Sequence, residues 1–190
     1  TVRTGSGERI LNWVANGEAD IGYCLRRKPP PGVEEVRAFA QQLGVVAAPG
    51  HPLAAPARAR RLRDCLDAPL ILMTMDTELR AMVEQIGQRE HRPSRPLIET
   101  SSVAMARRLV ADGLGVSFLI PENVAQDVAA GRLAWNALAD EGARSHSCLY
   151  QRTGQATAAA MGMFLQYFEA ELSAISGQFS PPRRVRARRA

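Results

Sequence analysis

The chain has 190 residues, 46% hydrophobic and 23% charged, an ordinary balance for a globular domain able to bury a core. No run of apolar residues approaches the ~18 that a membrane-crossing helix needs. The formal charge of +5 would suggest a nucleic-acid partner, but five arginines sit in the terminal "SPPRRVRARRA", and without them the basic residues only match the 19 acids.

In chain order, "TVRT" reads as a short strand and "GSG" as a turn. "ERILNWVAN" reads as a helix with Ile10, Leu11 and Val14 on one face. Gly17 suits the C-terminus of that helix, and "ADIGYCL" reads as a buried strand. In "RRKPPPGVEEV" three consecutive prolines exclude helix and central strand, which predicts a loop or linker. A strand is predicted over Leu43–Ala48, then a short helix in "ARARRLRDCLDA" and a strand in "PLILMT". Asp76 or Thr77 can cap the next helix, whose Leu79, Met82, Val83 and Ile86 recur at helical spacing. "PLIE" is a further strand. A helix over Val103–Asp112 follows, with Gly113 at its end, then a strand in "GVSFLI". "ENVAQDVAAGRLAW" predicts a short helix ending at Gly131, and "SHSCLYQR" a strand. The last helix carries a stripe of Met163, Phe164, Tyr167, Phe168 and Leu172, read as core. Residues 177–190 are expected to be a disordered basic tail. Short apolar strands alternating with amphipathic helices predict parallel sheets covered on both faces, and the proline break and late return strand predict two lobes.

Nucleophile elbows and phosphate loops are absent from the sequence. His51, His91 and His146 are scattered, so neither a metal site nor a cofactor is expected. Cys24, Cys65 and Cys148, an odd and widely spaced set, read as small buried hydrophobes in a reducing cytoplasm. What recurs is a strand-to-helix turn rich in small polar residues: Thr4 to Gly7; Thr74, Met75, Asp76 and Thr77; Thr100, Ser101 and Ser102. Such turns lie at the carboxyl ends of strands, where α/β proteins bind ligands. Each helix start offers unpaired N–H groups and a partial positive charge that favours an anion by ~0.3–1 kcal/mol. The alternative for each Ser or Thr is a plain helix cap, and Asp76 suits a cap better than an anion contact.

"VANGEADIGY", "LGVVAAPGHPLA" and "SSVAMARRLVADGLGVSFLIP" resemble, in that order, three segments of the effector-binding region of LysR-type transcriptional regulators. The resemblance runs from about Thr1 to Leu172. It implies two Rossmann-like α/β subdomains joined by two crossover strands, similar to type II periplasmic binding proteins, with the first subdomain N-terminally truncated. The implied first subdomain is 1–40 with 143–176, and the second 41–142. The resemblance also implies a ligand cleft between them. It carries Ser6 and Gly7 onto the first-lobe loop, Cys24, Leu25 and Arg26 onto a strand exit, Met75, Asp76 and Thr77 onto the second-lobe turn, and Ser101 and Ser102 onto the next helix start.

The function expected from this resemblance is that of a cytoplasmic effector-binding domain, not an enzyme. It is expected to take a small carboxylate or amino-acid-like metabolite without a cofactor. The resemblance implies that promoter DNA is contacted only through an N-terminal winged helix-turn-helix outside this sequence, in a homodimeric or homotetrameric regulator away from the membrane. An exported solute-binding protein that serves a transporter is the alternative, and an enzyme on the same scaffold would need a nucleophile or acid–base pair that the turns do not offer.

Overall fold

Strands must pair their backbone N–H and C=O groups, and the pairing sets the architecture. The computed structural model describes residues 1–55, 60–155 and 159–179. Strands β1 (Gly22–Leu25), β2 (Val33–Gln42) and β8 (Arg144–Arg152) form a sheet of order β1-β8-β2, antiparallel at both junctions. Helix α1 (Gly7–Ala15) lays Leu11 and Val14 on one face, where they close a small core with Val33, Cys148 and Tyr150. Neighbouring strand residues point to opposite faces, and Tyr23 meets Phe168 of the last helix, α5 (Ala159–Phe179), edge-on at 4.9 Å between ring centroids. The sheet is thus covered on both sides.

The second part of the fold has a larger core. Strand β3 (Gly44–Ala47) lies antiparallel between β6 (Ser117–Leu119) and β7 (Ala134–Ala137), while β4 (Leu70–Met73) runs parallel to β5 (Pro96–Thr100). A parallel bridge between Leu70 and Val116 joins the two sets. Helices α2 (Glu78–Arg89), α3 (Val103–Ala111) and α4 (Pro121–Ala129) cover them. The continuous core includes Val45, Ile71, Leu72, Ile86, Val110 and Phe118, all essentially inaccessible to water. Gly44 is required here, since a Cβ would collide with the ring of Trp135.

Several expectations are corrected. The stretch after the three prolines becomes a ten-residue strand at Val33, because its charged positions point to solvent while the whole strand pairs with β8. Glu34, Glu35 and Arg37 hid that pattern. "TVRT" forms no strand, as it pairs with no neighbour among the described residues. In "ARARRLRDCLDA" only a single 3₁₀ turn, Leu62–Asp64, forms among the described residues, and residues 56–59 lie outside them. A strand missed by the sequence, β7, follows Gly131, tied by a hydrogen bond from Trp135 Nε1 to the Leu119 carbonyl at 2.9 Å. Pairing is antiparallel except at β4–β5 and the isolated bridges, rather than parallel throughout. Of the α5 stripe, Met163, Phe164 and Tyr167 are exposed and only Phe168 and Leu172 turn inward. Of the expected tail, residues 177–179 are helical and 180–190 lie outside the described residues.

Candidate effector cleft

The first turns of four helices border one cleft of about 290 Å³. Its walls include Ser6 and Gly7 at the start of α1, Thr77 and Glu78 at α2, Ser101 and Val103 at α3, and Ile120, Glu122 and Asn123 at α4. Tyr23, Cys24 and Leu25 of β1 and Ser147 of β8 form the wall on the side of the first sheet. The partial positive ends of four helix dipoles are therefore directed to one region.

The starts are locally encoded. Ser6, Thr77 and Ser102 each sit in extended backbone before their helix and accept a hydrogen bond from the N–H three residues on, at 3.4, 3.3 and 3.2 Å. Pro121 opens α4, where its missing N–H costs nothing. Capping uses up much of the hydroxyl chemistry. Thr77 also donates to the Thr74 carbonyl at 2.8 Å, so both its donor and acceptor roles are taken.

Of the twelve residues expected to touch a ligand, Ser6, Gly7, Cys24, Leu25, Asp76, Thr77 and Ser101 line the cleft, and Arg26, Thr74, Met75, Thr100 and Ser102 are not among its lining residues. Arg26 is held by Glu35 through two hydrogen bonds of 3.0 and 2.5 Å. Thr74 donates to Asp76 at 2.7 Å. Met75 projects into solvent. Thr100 accepts from the Ser102 N–H at 3.1 Å, and Ser102 is spent as a cap.

The sequence reading missed the most elaborate part of the cleft. Glu122 of α4 accepts from one residue of each strand of the first sheet: Tyr23 of β1 at 2.5 Å, Gln41 of β2, and Ser147 of β8 at 3.5 Å. Burial raises the Glu122 carboxyl above its ordinary pKa, and these three donors only partly offset that. Burial likewise raises the Tyr23 phenol, reinforced by the adjacent Glu122 charge. The segment "IPEN" is no hydroxyl-rich turn. The available signal was an acid placed directly after a buried strand and a helix-opening proline.

A second cross-cleft link joins Arg27, just after β1, to Glu78 at the start of α2, at 2.5 Å. It presses against Gly7: a Cβ there would lie 2.5 Å from Glu78 Oε1 and 2.9 Å from Arg27 Cδ. Asp76, Glu78 and Glu122 line the cleft, and no Arg, Lys or His does so among the described residues. A second groove of about 530 Å³, bordered by α3 and α4, carries Arg107, Arg108 and Arg132. There Asp127 pairs with Arg107 and Arg132, at 2.8 and 2.7 Å, and Asp112 with Arg108 at 2.8 Å. That pairing leaves the groove little unspent charge.

Residues 1–173 match the family model described as "LysR substrate binding domain". The chain is 29% identical over 133 residues to the HTH-type transcriptional regulator BbuR of Bordetella bronchiseptica, across 70% of this chain and 41% of that protein. It is 29% identical over 133 residues to an HTH-type transcriptional regulator of Mycobacterium tuberculosis, across 67% of this chain and 42% of that protein. The chain thus spans about two-fifths of the length of these curated relatives. In fold it is similar to the regulatory domain of CcmR from Synechocystis in complex with 2-PG, with a TM-score of 0.74 at 19% identity, covering 90% of this chain and 82% of that one. It is also similar to the effector-binding domain of QuiR in complex with shikimate, with a TM-score of 0.70 at 18% identity, covering 93% and 81%. Two α/β subdomains in the type II periplasmic-binding-protein manner and a family match over nearly the whole chain lead to one conclusion: the chain belongs to the LysR substrate-binding domain family, whose members recognise effectors in transcription regulation and are not enzymes.

Proposed function

We infer that this chain is the effector-binding part of a cytoplasmic LysR-type regulator, and that its effector is a small amino-acid-like metabolite held in the cleft between subdomains 1–40 with 143–176 and 41–142. One observation carries the reading: four helix starts border a cleft whose charged lining residues are all acids. The helix ends suit a carboxylate. Asp76 and Glu122 disfavour a second anionic group and suit a positive one, so a zwitterion fits better than a plain anion. Ser6, Gly7, Thr77 and Ser101 face the carboxylate through backbone N–H groups, and Ser101 adds its hydroxyl. Thr74, Thr100 and Ser102 hold these turns through local hydrogen bonds, while Arg26 and Met75 lie outside the lining. The fold relatives CcmR and QuiR, each in complex with a small molecule, support a site of this kind. The regulators among the relatives favour this reading over an exported solute-binding protein.

The effector acts by binding one arrangement of the subdomains more tightly than another, with a coupling of ~1–3 kcal/mol. The full-length regulator, a homodimer or homotetramer, reads promoter DNA through a winged helix-turn-helix preceding this domain.

Thermal denaturation with matched triplets tests the ligand class: an α-amino acid, the same skeleton without its amine, and the same skeleton without its carboxylate. At 100-fold excess over Kd a true ligand stabilises by ~2.7 kcal/mol. The reading requires the amino acid to exceed both counterparts in at least one triplet. Equal or greater stabilisation by every deaminated acid overturns the zwitterion, and stabilisation by amines alone overturns the carboxylate.

A further inference from the structure

Two of the three cysteines face each other. In the β1–β8 ladder Cys24 is the register partner of Cys148, so both side chains project from the same face of the sheet. Next in the same alternation, the Arg26 N–H donates to the His146 carbonyl at 2.7 Å. Hydrogen-bonded and non-hydrogen-bonded pairs alternate along an antiparallel ladder, so Cys24 and Cys148 occupy a hydrogen-bonded pair, with Cα atoms about 5.5 Å apart. That separation is within the range disulfides span. Cys148 is fully buried under α1, whereas Cys24 is part-exposed and lines the cleft. Cys65 is buried in the core of the second subdomain.

We propose that Cys24 and Cys148 are a redox-active dithiol, oxidised through the cleft by a hydroperoxide to an intramolecular disulfide in the cleft wall. Access sets the order of events. The Cys24 thiolate attacks the peroxide, forming an S–O bond as the O–O bond breaks. The departing hydroxide takes up a proton to give water, and Cys24 becomes a sulfenic acid. Cys148 sulfur then attacks Cys24 sulfur. The S–S bond forms, the S–O bond breaks, and the hydroxide leaves with the Cys148 proton as a second water. Two thiols lose two electrons, and hydrogen peroxide is reduced to two waters. In a hydrogen-bonded pair the opposed Cβ atoms stand about 5.5 Å apart, and a disulfide needs ~3.5–4.5 Å. The bond therefore pulls the strands together and is readily reduced, as strained disulfides are. Burial pushes the Cys24 thiol up to about 12, so its thiolate is scarce at neutral pH and oxidation speeds up about tenfold per pH unit below that value.

The test treats the whole chain with hydrogen peroxide, and in parallel with diamide, at about pH 7 and pH 9. Free thiols are then alkylated and the protein is mapped by mass spectrometry. The expected result is loss of two hydrogens, a Cys24–Cys148 linked peptide, alkylated Cys65, faster reaction at the higher pH and full reversal by glutathione. Cys24→Ser and Cys148→Ala each remove the link while circular dichroism stays that of the parent chain. Both cysteines alkylated after either oxidant, a link through Cys65 or between chains, or over-oxidised Cys24 with free Cys148 would each overturn the proposal. The wild-type map alone decides the matter if a variant does not fold.

Discussion

The two subdomains differ most in how much apolar surface each buries. The second has a continuous core from Leu43 to Leu138 through five strands and three helices, whereas in the first, among the described residues, Leu11, Val14, Val33, Cys148 and Tyr150 form a small cluster under α1, with Leu149 and Leu172 buried outside it. Water-excluded area is the main source of stability. The second subdomain is therefore expected to be the more stable part, and the first to lean on polar links made to it across the cleft, Glu122 with its three donors and Arg27 with Glu78. A binding domain that must change arrangement gains from this asymmetry, because the less stable part is the one that can move.

The largest expected effect breaks the rigid side. Ile71→Ala empties a fully buried position in the larger core and should cost about 2–5 kcal/mol, read as a lower urea midpoint for the whole chain. Leu11→Ala in the small core should instead speed hydrogen exchange in α1 and β1 while α2 and α3 stay protected. Equal loss of protection everywhere would mean that the subdomains unfold as one unit and the comparison fails.

The polar link comes next. Glu122→Ala leaves Gln41 and Ser147, both buried, without their acceptor and should cost about 1–3 kcal/mol. Glu122→Gln keeps an acceptor and should cost less. If the two variants have the same stability, the carboxyl does not tie the subdomains together. Gly7→Ala is milder. The atoms nearest the added methyl belong to the flexible Glu78 and Arg27 side chains, so the cost should be about 1 kcal/mol, at the low end of overpacking. Its use lies in changing ligand affinity through the displaced pair, and an unchanged titration curve would remove that pair from the cleft chemistry.

Smallest is the pH dependence, which has opposite signs in two places. The raised Glu122 carboxyl contributes stability that is complete below the ordinary glutamate pKa of about 4.3 and declines as pH rises through its higher folded value. On α2, burial pushes the Glu84 carboxyl up, but hydrogen bonds from Ser94 and Arg80 outweigh it and leave it lowered. Its contribution is present above about 4.3 and is lost as pH falls through the lower folded value. Urea midpoints across this range should therefore lose their downward slope at higher pH in Glu122→Gln and keep the fall at low pH. A slope unchanged by the substitution would assign it to other groups.

How much of this was legible in the sequence follows from what each signal depends on. Helices α2 and α3 were readable, with their caps and apolar faces, because capping and helical periodicity are local. The hydroxyl turns were readable as turns for the same reason. Strand β2 was not, since its charged outer face makes sense only once β8 pairs along its length. The α5 stripe misled, because helical spacing does not reveal whether anything covers the face. Glu122 carries only a local mark, an acid after a helix-opening proline; its role in the cleft wall emerges only in the folded chain, where donors from positions 23, 41 and 147 meet on it.

Joint binding of a ligand by helix starts from both subdomains can be read out by amide NMR during titration with the best-stabilising amino acid of the triplet panel. The first-turn amides of Gly7, Glu78, Val103 and Asn123 are expected to shift together, with one apparent Kd. Shifts concentrated at Arg107, Arg108 and Arg132 in the α3–α4 groove, with those four amides still, would contradict it.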